Sequence, residues 1–166
     1  MTNFVTRIAS PIVLLTLASD GGALTGLWLE GQRFFPGTLP AADPERELPV
    51  FAQTRLWLEL YFQGREPDFI PPMRLSGTPF QLTVWEALRT VPYGKTVTYG
   101  ELARRLSAQS DHPRVSARAV GGAVARNPVS ILIPCHRVVG ANGSLTGYAG
   151  GLDRKRKLLA LERISL

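Results

Sequence analysis

Apolar and polar positions change period several times along this chain, and each change predicts an element. Between residues 4 and 30 the apolar residues fall in short runs, Ile12 to Ala18 and Leu24 to Leu29, separated by Asp20-Gly21-Gly22. Two such runs around residues that tolerate positive φ predict a β-hairpin. The acidic, proline-bearing stretch from Pro36 to Pro49 reads as loop. Phe51 to Phe62 then sets Leu56, Leu60 and Trp57, Tyr61 at helical spacing. This half predicts a small lobe of strands and one helix.

Proline and glycine crowd the segment from Pro67 to Gly77, with Pro71-Pro72 at its centre, which marks a connection. Beyond it the pattern turns helical. Thr78-Pro79-Phe80-Gln81 joins a capping hydroxyl, proline at the first helical position and glutamine three residues after the cap, so a helix starts there, with Phe80, Val84 and Leu88 on one face and Pro92-Tyr93-Gly94 as its stop. Thr98-Tyr99-Gly100-Glu101 repeats the capping pattern and opens a short helix through Leu106, burying Leu102, Ala103 and Leu106. Ser116 caps a further helix, Ala117 to Arg126, made largely of Ala, Gly and Val. Two short helices joined in this way suggest a helix-turn-helix. Ala119, Gly121, Gly122 and Ala123 give the second one a small-sided face, suited either to tight helix packing or to close approach of another surface. Arg118 and Arg126, on the same helix, favour nucleic acid.

Ile131-Leu132-Ile133 reads as a buried strand-like run that leads into Pro134-Cys135-His136-Arg137-Val138. Residues 140 to 151 hold five glycines, a loop over a pocket or a long turn. A terminal helix capped by Asp153 carries Leu158, Leu159 and Leu161. Together these elements predict an α+β chain: an N-terminal α/β lobe over 1–70, a linker over 71–77, and a mainly helical C-terminal domain over 78–166.

Composition adds limits. The chain has 166 residues, 45% hydrophobic and 19% charged, as expected of a globular protein. No apolar run approaches the length of a membrane span. The apolar stretch behind Arg7 lacks a convincing cleavage site for a secretory leader. Formal net charge is +6, and it is uneven. Up to Trp85 there are six basic and eight acidic residues, whereas from Glu86 onward there are thirteen and five. Either the second half faces a polyanion or it carries a solvated basic surface.

A single cysteine, Cys135, excludes an internal disulfide, and with only His112 and His136 there is no plausible zinc ligand set, so no metal and a reduced, cytoplasmic setting are expected. Taken by residue type, a free cysteine is usually inert core. Here proline precedes it, and a histidine and an arginine follow, which suits a thiol that must ionise and attack. In an extended chain Cys135 and His136 point apart, so proton transfer between them requires a turn or a water. Glu162 lies on the apolar face of the last helix, i+4 from Leu158 and i+3 from Leu159. A carboxylate there needs a partner, either His136 or a neighbouring arginine at the rim.

Ile133-Pro134-Cys135-His136-Arg137-Val138, with Asn127-Pro128, Arg118-Ala119-Val120-Gly121, Thr98-Tyr99-Gly100-Glu101-Leu102-Ala103, Gly147-Tyr148-Ala149-Gly150-Gly151 and the closing Leu158-Leu159-Ala160-Leu161-Glu162, resembles the O6-alkylguanine-DNA alkyltransferase family over residues 76–163. The resemblance implies a ribonuclease H-like first lobe and a helix-turn-helix that uses the minor groove of double-stranded DNA. It implies stoichiometric, irreversible transfer of the alkyl group of O6-alkylguanine, and of O4-alkylthymine, to Cys135 after base flipping, by a monomer without cofactor.

Within that scheme His136 is the base through a water, Glu162 orients His136, and Asn127 holds the turn that presents the cysteine. Arg118 is the finger that replaces the flipped nucleotide. Tyr99 rotates the phosphate and contacts the base. Ala119, Gly121, Ala123 and Arg126 lie on the DNA face, and Pro134, Val138, Tyr148 and Ala149 wall the pocket. Three departures stand out: the 107–115 connection is long and inserts Asp111 and His112, Ala149 replaces the serine of many members, and zinc ligands are lacking. Two other functions compete with this one. A module that binds damaged DNA without repairing it leaves Cys135 unexplained, and a thiol hydrolase leaves the basic half and Arg118 unused.

Overall fold

The computed structural model describes residues 2–109 and 114–164; Asp111 and His112 of the long connection lie outside them. The chain folds as two compact units, Met1–Ser76 with Pro128–Leu132, and Gly77–Asn127 with Ile133–Leu166.

In the first unit β1 (Phe4–Ile8), β2 (Leu15–Ser19) and β3 (Leu24–Leu29) form an antiparallel sheet in that order, with Val5 opposite Ala18 and Leu17 opposite Leu27. The Asp20 turn closes the hairpin because its Oδ1 accepts from Gly22 N–H at 3.0 Å and Ala23 N–H at 2.9 Å, while Gly21 takes φ 108°. β2 starts at Leu15 and not at Ile12. The Ser10 hydroxyl accepts from the amides of Ile12 and Val13, which turns that stretch before the strand begins.

α1 (Pro49–Phe62) packs on β2 and buries Val50, Phe51, Thr54, Trp57, Leu58 and Tyr61. Leu56, expected on the apolar face, is exposed, because the buried stripe runs through 54, 57, 58 and 61. On one side of the sheet Val5, Ala18 and Trp28 are covered by Phe35, Leu39 and Ala42.

The second unit holds α2 (Pro79–Leu88), β4 (Val97–Thr98), α3 (Tyr99–Gln109), α4 (Ala117–Ala125), β5 (Val138–Val139) and α5 (Leu152–Leu161). Thr78 and Gln81 form the expected capping box. Thr98 Oγ1 accepts from Glu101 N–H at 3.0 Å, and Ser116 caps α4 through Ala119 N–H at 3.0 Å. Trp85 Nε1 donates to Ala123 O at 2.9 Å and ties α2 to α4. β4 and β5 pair in parallel, Val97 with Val138.

Several expectations change here. Ile131 to Ile133 is buried but is not a strand: Ile131 and Leu132 form a turn, and Ile133 holds an isolated bridge. Asp153 does not cap α5: Gly151, at φ 97°, holds the cap position without a side-chain bond, and Asp153 is exposed in the first turn. Among the described residues no helix is long and apolar enough to cross a membrane.

Candidate active site

Cys135 opens a 3-10 turn, Cys135–Arg137, that runs straight into β5. Two bonds of the i to i+2 kind lead up to it. Leu132 N–H donates to Ser130 O at 2.9 Å across Ile131, whose φ is 72°. Cys135 N–H donates to Ile133 O at 2.8 Å across Pro134, at φ −80° and ψ 63°. The second is an inverse γ-turn, for which proline's fixed φ is well suited; the first has the rare, positive-φ form. Asn127 Nδ2 donates to the same Ile133 carbonyl at 2.8 Å, and its side chain also hydrogen-bonds the thiol.

Behind the thiol, His136 Nε2 lies 2.6 Å from Glu162 Oε2, both fully buried. Glu162 Oε1 accepts from Arg137 Nε at 2.8 Å and from Gly94 N–H at 3.0 Å, and Arg137 Nη1 donates to Val91 O at 2.8 Å. A histidine and an arginine therefore both partner Glu162, one on each oxygen. Burial works to raise the Glu162 pKa, but the hydrogen bonds from His136 and Arg137 and the charge of Arg137 outweigh it and hold it at about 2. An ionised Glu162 accepts only, so Nε2 carries the imidazole hydrogen and the lone pair sits on Nδ1. Burial also lowers the His136 pKa against the pull of Glu162, so the ring is neutral at pH 7.

The thiol is pushed upward by burial, opposed by Asn127, by the charge of Lys155 and by Tyr148. Sequence reasoning missed Lys155. It is completely buried in α5, and its Nζ donates to Val138 O, to Thr146 O at 2.8 Å and to Gly147 O at 3.0 Å. Burial depresses its pKa to about 8. The signal was present: 155, 158, 159 and 162 are one helical stripe, so the argument that placed Glu162 inside applies to Lys155 as well.

Tyr99 OH reaches the same loop, donating to Gly147 O at 3.3 Å, and burial pushes its pKa to about 12. The Tyr148 hydroxyl is buried beside the thiol, with its pKa raised first by burial and then by Cys135. Pro134 and Val138 are buried on either side of the turn, and Ala149 is half-buried.

On α4, Arg118, Ala119 and Arg126 are exposed, and Gly121 leaves its open side toward the Tyr99 ring, 3.8 Å from where a Cβ would stand. Ala123 differs from the expectation that grouped it with them. It is buried, and its carbonyl accepts from Trp85, so it cannot meet a ligand on the outer face. The structure thus brings Cys135, His136, Glu162, Asn127, Tyr99 and Tyr148 together and leaves Arg118 and Arg126 at the surface.

Comparison with known proteins fits this arrangement. Residues 79–164 match the family model described as the DNA-binding domain of 6-O-methylguanine DNA methyltransferase. A methylated-DNA–protein-cysteine methyltransferase of Haemophilus influenzae is 44% identical over 97% of this chain and 87% of its own, and one of Mycolicibacterium paratuberculosis is 46% identical over 94% and 90%. The crystal structure of Mycobacterium tuberculosis OGT in complex with DNA superposes with a TM-score of 0.85 at 44% identity, covering 97% of this chain and 93% of that one. An O6-methylguanine DNA methyltransferase of Methanococcus jannaschii gives 0.67 at 30% identity over 97% and 95%. The chain belongs to the methylated-DNA–protein-cysteine methyltransferase family.

Proposed function

We propose that this protein repairs double-stranded DNA by moving the alkyl group of O6-alkylguanine onto Cys135 Sγ, once per molecule. The observation that carries the reading is the thiol held by Asn127 beside the Lys155 ammonium, with the neutral His136 backed by an ionised Glu162.

An alkyl group on a guanine oxygen yields only to a strong, soft nucleophile, and a thiolate is the best side chain for the purpose. Nδ1 of His136 takes the thiol proton through a water, and Glu162 stabilises the imidazolium that results, as the carboxylate does in other nucleophile–histidine–acid sites. Sulfur then forms a bond to the alkyl carbon as the bond from that carbon to O6 breaks. The electron pair goes to the purine, which is neutralised by a proton and becomes guanine. The thioether left on Cys135 has no carbonyl for water to attack, so the protein is not regenerated. O4-alkylthymine presents the same electrophile and is expected to react likewise.

Stacking hides the target atom, so the base must flip out at a cost of a few kcal/mol. Arg118, exposed on α4, is suited to fill the space it leaves, with Arg126, Ala119 and Gly121 on the DNA side. The carbonyls of Cys135 and Val138 and the side chain of Tyr148 frame the base, and Tyr99 works at its phosphate. In this reading α3 and α4 are a helix-turn-helix used in the minor groove, residues 78–166 carry DNA binding and transfer, and residues 1–70 form a ribonuclease H-like lobe. A cytoplasmic location keeps Cys135 reduced. Cys135→Ala is expected to bind a duplex containing O6-methylguanine and leave the lesion intact. Repair by that variant would overturn the proposal.

A further inference from the structure

Just before Cys135 the chain is fastened into the first unit. Leu27 N–H donates to Pro128 O at 2.8 Å and Ser130 N–H donates to Leu27 O at 2.9 Å, so 128–130 lies as a short parallel edge beside β3. Ser130 and Gln32 are both buried polar residues of this unit, with Ser130 Oγ donating to Gln32 Oε1 at 3.3 Å. The same oxygen accepts from Leu29 N–H at 2.8 Å, and Gln32 Nε2 donates to Arg33 O at 3.3 Å. One carboxamide therefore locks the end of β3 and the segment that leads to the nucleophile.

The next residue is strained. Ile131 is fully buried and stands at φ 72°, a region that a β-branched residue enters only at a cost on the order of 1–3 kcal/mol. A conformation of this kind persists only where its surroundings over-determine it. Here Ser130 is pinned before it, Leu132 N–H bonds back across it, and Ile133 O takes two donors after it. Two residues further on, the inverse γ-turn at Pro134 passes the resulting direction to Cys135.

We propose that Gln32 and Ser130 are positioning residues for alkyl transfer: they hold the strained turn at Ile131 in place, and that turn fixes the line along which Cys135 Sγ meets the alkyl carbon. The inference rests on reading Cys135 as the alkyl acceptor. Displacement at carbon requires sulfur, carbon and oxygen in line, and a misplacement of about 1 Å costs on the order of a hundredfold in rate. Gln32 and Ser130 touch no substrate and act only through the backbone.

The test uses single-turnover methylation by a saturating O6-methylguanine duplex, with DNA affinity and thermal stability measured alongside. Ser130→Ala leaves Gln32 Oε1 bonded to Leu29 N–H, so the fold is kept. Its rate constant is expected to fall about fivefold, the worth of one hydrogen bond, with affinity unchanged. Ser130→Thr should restore the rate, and Gln32→Met, which also removes the acceptor of Leu29 N–H, should lower it at least as far as Ser130→Ala. The double variant should be no slower than the slower single one, because both remove one link. A folded Ser130→Ala that reacts at the wild-type rate overturns the positioning role while leaving the acceptor assignment intact, and so do additive losses in the double variant. Wild-type protein that takes no methyl group removes both.

Discussion

Lys155 and Glu162 put opposite charges on one buried stripe of α5, and each sets the state of a neighbour. The ammonium of Lys155 opposes the upward push of burial on the Cys135 thiol and also holds the carbonyls of Val138, Thr146 and Gly147. Lys155→Met keeps the stem but removes both effects, leaving buried acceptors without their donor. It is expected to slow methylation at least tenfold at pH 7 and to raise the pH at which the thiol reacts with a small alkylating agent. An unshifted profile would remove the electrostatic role. Acid should expose the other pair. Glu162, held at about 2 against its ordinary 4.5, contributes stability that is complete above pH 4.5 and is lost as pH falls toward 2, on the order of 3 kcal/mol. His136, buried neutral with a lowered pKa, adds loss in the same direction as pH drops below its ordinary 6.5. Thermal unfolding followed from pH 7 to 2 should show a falling midpoint, and Glu162→Gln should lack the part of that fall that lies between pH 4.5 and 2.

Helices were the most legible elements because their signals are local. Thr78 with Gln81, Thr98 with Glu101, and Ser116 each announce an N-terminus within four residues, and each bond is present. The segment before Cys135 was not legible. An apolar run such as Ile131-Leu132-Ile133 has the composition of a strand, and nothing local signals that a β-branched residue will be forced to positive φ; the force comes from partners near residue 30 and from Asn127. Asp153 misled for the opposite reason, since a good capping residue stands two positions inside a helix that begins at a glycine. α4 is the element that carries the DNA argument. Arg118, exposed near its start, should matter for extruding the base and not for the displacement itself. Arg118→Ala is expected to slow methylation by duplex DNA at least tenfold while changing reaction with the free modified base by less than twofold. Equal losses on the two substrates would reject the finger role.

At the scale of the whole molecule, residues from Glu86 onward include thirteen basic and five acidic ones, whereas acidic residues outnumber basic ones before it. If the second half faces phosphates, affinity for duplex DNA must fall with salt by about 0.9 in slope for each phosphate neutralised. A slope of several is expected, and one near zero would return the charge to a solvated surface. Residues 128–132 belong to the first unit, while the residues on either side belong to the other. Sequence reading set a boundary near residue 77 from prolines and glycines, but a five-residue excursion back to an earlier sheet leaves no compositional trace.

Whether Cys135 is the alkyl acceptor is decided by peptide mass analysis after incubation with excess O6-methylguanine duplex. One methyl group per protein molecule is expected, located on the peptide that contains Cys135, with no further uptake over time. A methyl group on any other residue, an unmodified Cys135 peptide, or repair of more lesions than there are protein molecules would contradict it.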